Sequence, residues 1–134
     1  MRTFAFCIVA VLIGSTMASA ADICDDQTTQ TALSACAAQQ FEQADDKLNT
    51  AYAEVLERLE GEPPRRDLLR AAQRAWVAFR DAECTFAVSG TEGGSAEPMV
   101  NAQCRAELTD RRTGDLKDYL ACGEGDLSCP LPPN

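Results

Sequence analysis

The sequence contains no histidine among its 134 residues. The usual general base at neutral pH and the most common metal ligand are therefore missing, which excludes catalysis by a Ser-His or Cys-His pair. Basic residues are also few, since 12 lysines and arginines stand against 21 aspartates and glutamates, and the formal net charge is −9. Nucleic acids and anionic membrane surfaces attract Lys/Arg-rich faces. This excess of acidic residues argues against binding to nucleic acids or to anionic membranes and favours a cationic partner.

Long apolar runs are lacking after the first twenty residues. Within those twenty, Arg2 precedes the apolar run Phe4 to Gly14, and Ala18-Ser19-Ala20 has the small-x-small pattern of a cleavage site. The run is short for a membrane span, which disfavours the alternative of an uncleaved anchor. We expect residues 1–20 to be a signal peptide that is cut after Ala20.

We expect the mature chain to comprise a helical domain over residues 21–122 and an irregular C-terminal tail over 123–134. Phe6 precedes Cys7 and Ile23 precedes Cys24, where a lipid-attachment site needs a small residue. The expected product is therefore a periplasmic or secreted protein with no membrane attachment after cleavage.

Removal of the signal peptide takes Cys7 with it and leaves an even number of cysteines. An even number in an exported chain predicts disulfides, here three. Zinc is disfavoured because the chain has no histidine and no C-x-x-C motif, and we expect no metal, cofactor or catalytic residue. The six mature cysteines are Cys24, Cys36, Cys84, Cys104, Cys122 and Cys129.

Abundant alanine and sparse β-branched residues favour helices over strands. A first, long helix is predicted from about 28 to 60, capped by Asp26 or Thr28 and ended by Gly61. Its apolar residues recur every three or four positions and form one stripe. The members of this stripe are Leu33, Ala37, Phe41, Ala44, Leu48, Ala51, Tyr52, Val55 and Leu59.

A second helix follows Pro63-Pro64 and is ended by Ser89-Gly90, and a third begins at Ser95 as its cap, with Pro98 in its first turn. The predicted buried face of the second helix comprises Leu69, Ala72, Trp76, Phe79, Ala82 and Phe86. The predicted stripe of the third comprises Val100, Cys104, Leu108, Arg111 or Arg112, Leu116, and Tyr119 or Leu120. The expected fold is an all-α antiparallel three-helix bundle with one long first helix, held together by disulfides.

Antiparallel packing places four of the cysteines at one end of this bundle. We favour the pairs Cys36–Cys84 and Cys24–Cys104, with Cys24–Cys84 and Cys36–Cys104 nearly equal as the alternative. The remaining pair is Cys122–Cys129, which closes a local loop in the tail. Each of the longer cross-links is expected to contribute about 2–4 kcal/mol to stability.

The segment Ala72-Gln73-Arg74-Ala75-Trp76-Val77-Ala78-Phe79-Arg80-Asp81-Ala82-Glu83-Cys84 resembles the signature of the lysozyme inhibitor LprI-like N-terminal domain family. The resemblance covers about residues 24–120. It implies an exported bacterial helical domain, with at least one family member a lipoprotein that binds and inhibits lysozyme. Further similar positions are Cys24, Thr28, Cys36, Ala44-Asp45, Leu48-Asn49, Tyr52, Gly93-Gly94-Ser95, Cys104, Thr109, Arg112 and Leu116.

The motif side chains have structural as well as functional interpretations. Trp76 is expected in the core, and Arg74, Arg80 and Asp81 are expected to form ion pairs that fix helix contacts. Gln73 and Phe79 complete the structural motif. The acidic pair Asp45-Asp46 is expected on a solvated face and not in a glycosidase site.

The loop Glu92-Gly93-Gly94-Ser95 is the candidate partner-binding segment, although a plain interhelix turn is the simpler interpretation. Its glycines allow unusual backbone angles. The leading hypothesis is therefore an inhibitor that binds lysozyme, a cationic protein. The alternative is a structural or stress-related periplasmic interaction module with another partner, and an enzyme acting on the cell wall is disfavoured. The sequence does not determine the oligomeric state.

Overall fold

The computed structural model of the chain describes residues 24, 26–123 and 125–132. Within them it contains three helices, α1 (Gln30–Arg58), α2 (Pro63–Ala87) and α3 (Glu97–Ala121), with a 3-10 turn at Ser89–Thr91 between α2 and α3 and no strand. The predicted all-α three-helix fold with a long first helix is confirmed. The predicted signal peptide, residues 1–20, lies outside the described residues.

The helix ends follow local rules, with two corrections. The hydroxyl oxygen of Thr29 accepts from the Ala32 amide at 3.2 Å, so Thr29 is the cap of α1 and not Asp26 or Thr28. Gly61 adopts a φ of +87° in the turn after α1, a conformation open to glycine. The predicted Ser95 cap is wrong, because α3 begins one residue later, after Ala96, without a side-chain cap.

Consecutive helices are antiparallel, so α1 and α3 run in the same direction, and these two pack most closely. At their starts, the Gln30 amide donates to the Met99 sulfur at 3.6 Å. At their ends, Leu59 and Leu116 lie in one buried cluster. We call the first of these the disulfide end and the second, where residues 59–62 connect α1 to α2, the hairpin end.

The core cluster lies toward the hairpin end and confirms the apolar stripe of α1. Leu131 of the tail belongs to this cluster and is only 5% exposed. The Arg58 guanidinium also donates to the Pro132 carbonyl at 3.0 Å. The tail therefore completes the core, a role that its irregular sequence did not indicate. The buried members are Leu48, Ala51, Val55, Leu59, Leu116 and Leu131.

The predicted buried face of α2 is wrong at four of its six positions. Leu69 and Trp76 pack against the core, but Ala72, Phe79, Ala82 and Phe86 are exposed. The buried residues of α2 are Arg80 and Cys84 instead. Cys84 faces α3 because it bonds Cys104, and Arg80, one turn earlier on the same side, is turned inward with it.

The disulfides correct both sets of long-range pairs expected from the sequence. Cys24 bonds Cys36, with Cα atoms 6.0 Å apart, and Cys84 bonds Cys104, with Cα atoms 5.7 Å apart. Only Cys122–Cys129 is confirmed. The reason is that α2 packs against α3 more closely than against α1. Cys36 of α1 therefore bonds Cys24, which lies just before α1. Both cross-links lie at the disulfide end, as antiparallel packing predicts.

Candidate functional site

The loop Glu92–Ser95 projects from the disulfide end of the bundle, between α2 and α3, and all four residues are exposed. Gly93 has a φ of +72°, in the left-handed region that favours glycine. The Glu97 carboxylate accepts from the Gly93 amide at 2.7 Å, and the Thr91 carbonyl accepts from the Gly94 amide at 2.9 Å. The loop therefore has a defined conformation fixed by its own hydrogen bonds.

The base of this loop is closed by covalent and polar links. Cys84, in the last turn of α2, bonds Cys104, in the second turn of α3. Between them, the Thr91 hydroxyl donates to the Val88 carbonyl at 2.8 Å, and this hydrogen bond links the end of α2 to the 3-10 turn. A segment held in this way loses little conformational entropy when a partner binds it.

Glu92 is the outward-facing charge of the loop. Its side chain makes no ion pair or hydrogen bond within the described residues, whereas Glu97 is engaged by the Gly93 amide. The loop thus offers one free carboxylate next to two glycines whose backbone a partner can approach closely. This chemistry suits recognition of a cationic protein surface.

A second polar cluster lies inside the bundle, around the motif arginine Arg80, whose side chain is 8% exposed. Its guanidinium pairs with Asp45 of α1 at 3.3 Å and with the neighbouring Asp81 at 3.0 Å. It also donates to the Thr109 hydroxyl of α3 at 3.4 Å. Asp45 is therefore part of an ion pair between helices, while its side chain stays 41% exposed to solvent.

Aromatic faces complete the surroundings of Arg80. The guanidinium carbon lies 5.1 Å from the ring centre of Phe41 and 5.3 Å from that of Trp76, within the range of cation–π attraction. On the α3 side, Arg105 pairs with Asp81 at 3.7 Å. Each of the three helices contributes to this cluster, so its role is to fix the helices against one another.

The structure divides the remaining motif residues between the interior and the surface. The Gln73 carbonyl oxygen accepts from the buried Arg112 of α3 at 3.1 Å. Arg74 and Phe79 are exposed, and the ion pair expected for Arg74 is not found among the described residues. The structure therefore brings Gln73, Arg80 and Asp81 into contact with α3, while the loop at 92–95 forms a separate feature.

An apolar groove of about 500 Å³ opens at the hairpin end. It lies between the ends of α1 and α3, the start of α2 and the tail. Leu68, Leu69 and Leu131 line it, together with the cationic Arg65 and Arg112. This groove could not be predicted from the sequence, because one of its walls comes from the tail, which carries no periodic pattern.

No cluster of metal-binding side chains occurs within the described part of the chain. Among the same residues, no helix is long and apolar enough to cross a membrane. Around the loop and around Arg80 we find groups suited to recognition and to helix packing.

The fold and its cross-links define the protein as an all-α, disulfide-linked domain. A family model described as "Lysozyme inhibitor LprI" matches residues 24–116. The chain belongs to the lysozyme inhibitor LprI family. Together, this membership and the three disulfides indicate an extracytoplasmic protein.

Two relatives have similar sequences over most of their length. An uncharacterized protein of Rhizobium meliloti (strain 1021) is 34% identical over 112 residues, which cover 75% of this chain and 81% of the relative. The uncharacterized protein YecT of Escherichia coli (strain K12) is 30% identical over 108 residues, which cover 71% of this chain and 67% of the relative. No solved structure matches the chain at a significant level.

Proposed function

We propose that this protein binds lysozyme outside the cytoplasm and inhibits it without performing chemistry. The observation that carries the proposal is the family match over residues 24–116, which includes the Arg80 cluster and the loop at 92–95. The net charge of −9 supports it, because opposite charges accelerate association with a basic lysozyme.

The contact surface we propose is the loop Glu92–Ser95. It is exposed, internally hydrogen-bonded and closed at its base by Cys84–Cys104. In this proposal the preformed loop enters the substrate cleft of the enzyme, and its preorganisation lowers the entropic cost of binding. Glu92 supplies the charge that would meet a cationic group of the enzyme.

A lysozyme turbidity assay with purified oxidised protein tests the proposal. We expect inhibition that weakens as salt is added, since screening reduces attraction between exposed charges. The substitution Glu92→Lys is expected to weaken inhibition and to reduce its salt dependence. The matched control is Glu60→Lys, which makes the same charge change at an exposed position of the hairpin end.

The outcomes separate the function from the choice of surface. If the protein leaves several lysozyme types fully active at concentrations on the order of tens of micromolar, the inhibitor proposal fails. If inhibition persists and Glu92→Lys behaves like Glu60→Lys, the loop is not the contact surface, although the function stands.

We further propose that the protein reaches a periplasmic or secreted location after cleavage following Ala20. The cleavage pattern Ala18-Ser19-Ala20 supports this. N-terminal sequencing of the exported protein should begin at Ala21 with no acyl mass. A first residue at Cys24 carrying lipid would contradict the proposal.

A second candidate is an interaction module with another partner and no inhibition of lysozyme. One observation favours it, namely that Phe79 and Phe86 of α2 are 53% and 75% exposed. Exposed aromatic residues on one face are typical of interaction surfaces. Absence of inhibition together with association through these residues would support this candidate.

A further inference from the structure

The groove at the hairpin end is enclosed by all three helices and the tail. Its floor consists of core side chains, since Val55 and Leu59 are 1% and 2% exposed and Leu131 is 5% exposed. Leu68 lies at its rim and is 71% exposed. The volume of about 500 Å³ falls within the range of about 300–1,000 Å³ that is typical of small-molecule sites. The groove therefore has the size and the apolar lining of a ligand site.

The charged residues that line this groove are basic. They are Arg65 of α2 and Arg112 of α3, and no aspartate or glutamate lines it within the described part of the chain, although the net charge of the whole chain is −9. At physiological ionic strength, exposed charges more than about 8 Å apart are largely screened from each other. An anionic group in the groove therefore interacts mainly with the charges close to it, and the lining supplies two positive ones.

Arg112 retains hydrogen-bonding capacity for a ligand, although its side chain is only 10% exposed. Its Nε donates to the Gln73 carbonyl oxygen at 3.1 Å, and its Nη1 lies 3.6 Å from the carboxylate of Asp115. Water screens this ion pair, because the Asp115 side chain is 60% exposed. The Nη2 of Arg112 and the hydroxyl of Tyr119, which also lines the groove, make no hydrogen bond within the described residues. Both are donors that an oxygen anion can engage.

We propose that the groove at the hairpin end binds a single acyl chain that ends in a carboxylate. The acyl chain lies on the apolar floor formed by Val55, Leu59 and Leu131. The carboxylate accepts a hydrogen bond from Arg112 and is further attracted by Arg65. This combination of an apolar body and a few polar groups that hold one end of the ligand is the usual composition of a small-molecule site.

The lining favours an acyl chain over a peptide segment. A peptide brings backbone N–H groups that need acceptors, and a buried polar group without a partner is costly. Among the described side chains that line the groove, only the hydroxyls of Tyr119 and Ser128 carry oxygen. An acyl chain brings no polar group except its carboxylate, which the arginines satisfy.

This inference is separate from lysozyme binding in two respects. The groove lies at the hairpin end, whereas the loop at 92–95 projects from the disulfide end. One wall of the groove, which includes Pro130 and Leu131, lies outside the residues 24–116 that match the family model. The acyl-chain site therefore stands or falls by itself, whatever the outcome of the lysozyme assay.

Isothermal titration calorimetry of the oxidised protein with decanoate, kept below its micelle concentration, tests the proposal. We expect a dissociation constant of about 10–100 µM. Octanoate should bind about ten-fold more weakly, because it buries two methylene groups fewer. Decan-1-ol, which has the same chain without the charge, should also bind at least about ten-fold more weakly than decanoate, because it cannot form a charge-assisted hydrogen bond with Arg112.

Substitutions at the rim locate the site. Leu68→Glu places a carboxylate where the ligand enters and is expected to weaken decanoate binding at least about ten-fold. Its control is Leu127→Glu, the same change at a fully exposed tail residue outside the groove, which should leave the affinity unaltered. Arg112→Gln should also weaken binding at least about ten-fold. Circular dichroism identifies a variant that fails to fold, and the exposed position of Leu68 keeps the test valid if Arg112→Gln does so.

The contribution of charge is tested by a closely matched pair of arginines on α2. Arg65 is 49% exposed and lies 3.9 Å from Glu62, whereas Arg70 is 46% exposed and lies 3.4 Å from Asp67. Only Arg65 lines the groove. Arg65→Gln should weaken decanoate binding about two- to five-fold, and Arg70→Gln should leave it unchanged.

NMR spectra of the labelled protein show where decanoate binds. We expect its addition to shift the signals of Tyr119 and Leu131 and to leave those of Glu92 and Gly93 in place. The proposal is overturned if decanoate at about 1 mM produces neither heat nor shifts, if decan-1-ol binds as tightly as decanoate, or if Leu68→Glu behaves like Leu127→Glu. Shifts of the groove signals that follow protein concentration alone, or lysozyme and not decanoate, would likewise overturn it, because they assign the groove to a second copy or to a protein partner.

Discussion

The inner and outer sides of α2 are not separated by hydrophobicity as clearly as those of an amphipathic helix usually are, although Leu69 and Trp76 do pack against the core. The inner side buries a charge, Arg80, together with Cys84, and places Gln73 against Arg112. The outer side exposes Phe79 and Phe86. On this helix, burial is therefore determined by which groups find specific partners on the neighbouring helices and not by hydrophobicity alone.

Two constraints explain the inward side. Cys84 must face α3 to bond Cys104, and Arg80 finds two carboxylates, a hydroxyl and two aromatic faces where it is buried. A buried charge is tolerated when its hydrogen-bonding groups are satisfied. The apolar side chains of Phe79 and Phe86 are then left exposed on another side of the helix.

The disulfide that orients α2 should give the largest effect. Replacing Cys84 and Cys104 together by alanine is expected to lower the free energy of unfolding by about 3 kcal/mol, because the cross-link restricts the unfolded chain. Urea denaturation followed by circular dichroism measures this loss. Replacing Cys122 and Cys129, which enclose a shorter loop, should cost less. Peptide mapping that links Cys84 to Cys36 or Cys24 would refute the arrangement.

The buried arginine should come next. Arg80→Ala is expected to lower the free energy of unfolding by about 2 kcal/mol. This loss is smaller than that for removing one partner of a fully buried ion pair, because Asp45 and Asp81 are 41% and 42% exposed and can be hydrated. Thermal or urea denaturation measures the loss. The matched control is Arg74→Ala, an exposed arginine of the same helix, which should change stability by less than about 0.5 kcal/mol. Equal effects of the two variants would remove the distinction between the two sides.

The outer side should tolerate truncation in dilute protein. Phe86→Ala is expected to change the free energy of unfolding of the monomer by less than about 0.5 kcal/mol, because most of the ring is in water in the folded state as well. Denaturation at low micromolar concentration measures it. A loss of about 3 kcal/mol, typical of a buried phenylalanine, would mean that Phe86 belongs to the core.

The tail should give the smallest effect. The hydroxyl and then the amide of Ser128 hydrogen-bond Asp126, at 2.6 and 2.8 Å, and lower the pKa of this carboxyl from its ordinary 3.8. A carboxyl whose pKa is lower in the folded than in the unfolded state stabilises the fold at pH values above its unfolded-state pKa. This contribution is lost as the pH falls through its folded-state pKa. NMR titration of Asp126 should show the lowered pKa, and Ser128→Ala should raise it. An unchanged pKa in that variant would exclude the hydrogen bond as its cause.

The sequence predicted the helices because each has strong periodicity and clear end signals, such as Pro63 and Gly61. The sequence also placed four cysteines at one end of the bundle, since antiparallel connections determine the position of each residue along the bundle axis. It did not predict which cysteines bond, because position along the axis does not determine which neighbouring helix a side chain faces. The same uncertainty in rotation about the axis of α2 led to Phe79 and Phe86 being expected in the core.

The candidate site was partly foreseeable. The loop at 92–95 was visible from its two adjacent glycines between helical segments. The contacts of Arg80 with Asp45 and Thr109 were not, because they join residues that are distant in sequence and follow no local pattern. The position of Leu131 in the core was likewise hidden, since a single leucine among prolines carries no periodicity.

Hydroxyl-radical footprinting of the dilute protein tests the central claim about α2 most directly, because it measures the exposure of each side chain. We expect Phe79 and Phe86 to react readily, while Leu48 and Leu116 of the core stay protected. Protection of both phenylalanines would contradict the account, since the side of α2 that carries them would then be part of the core.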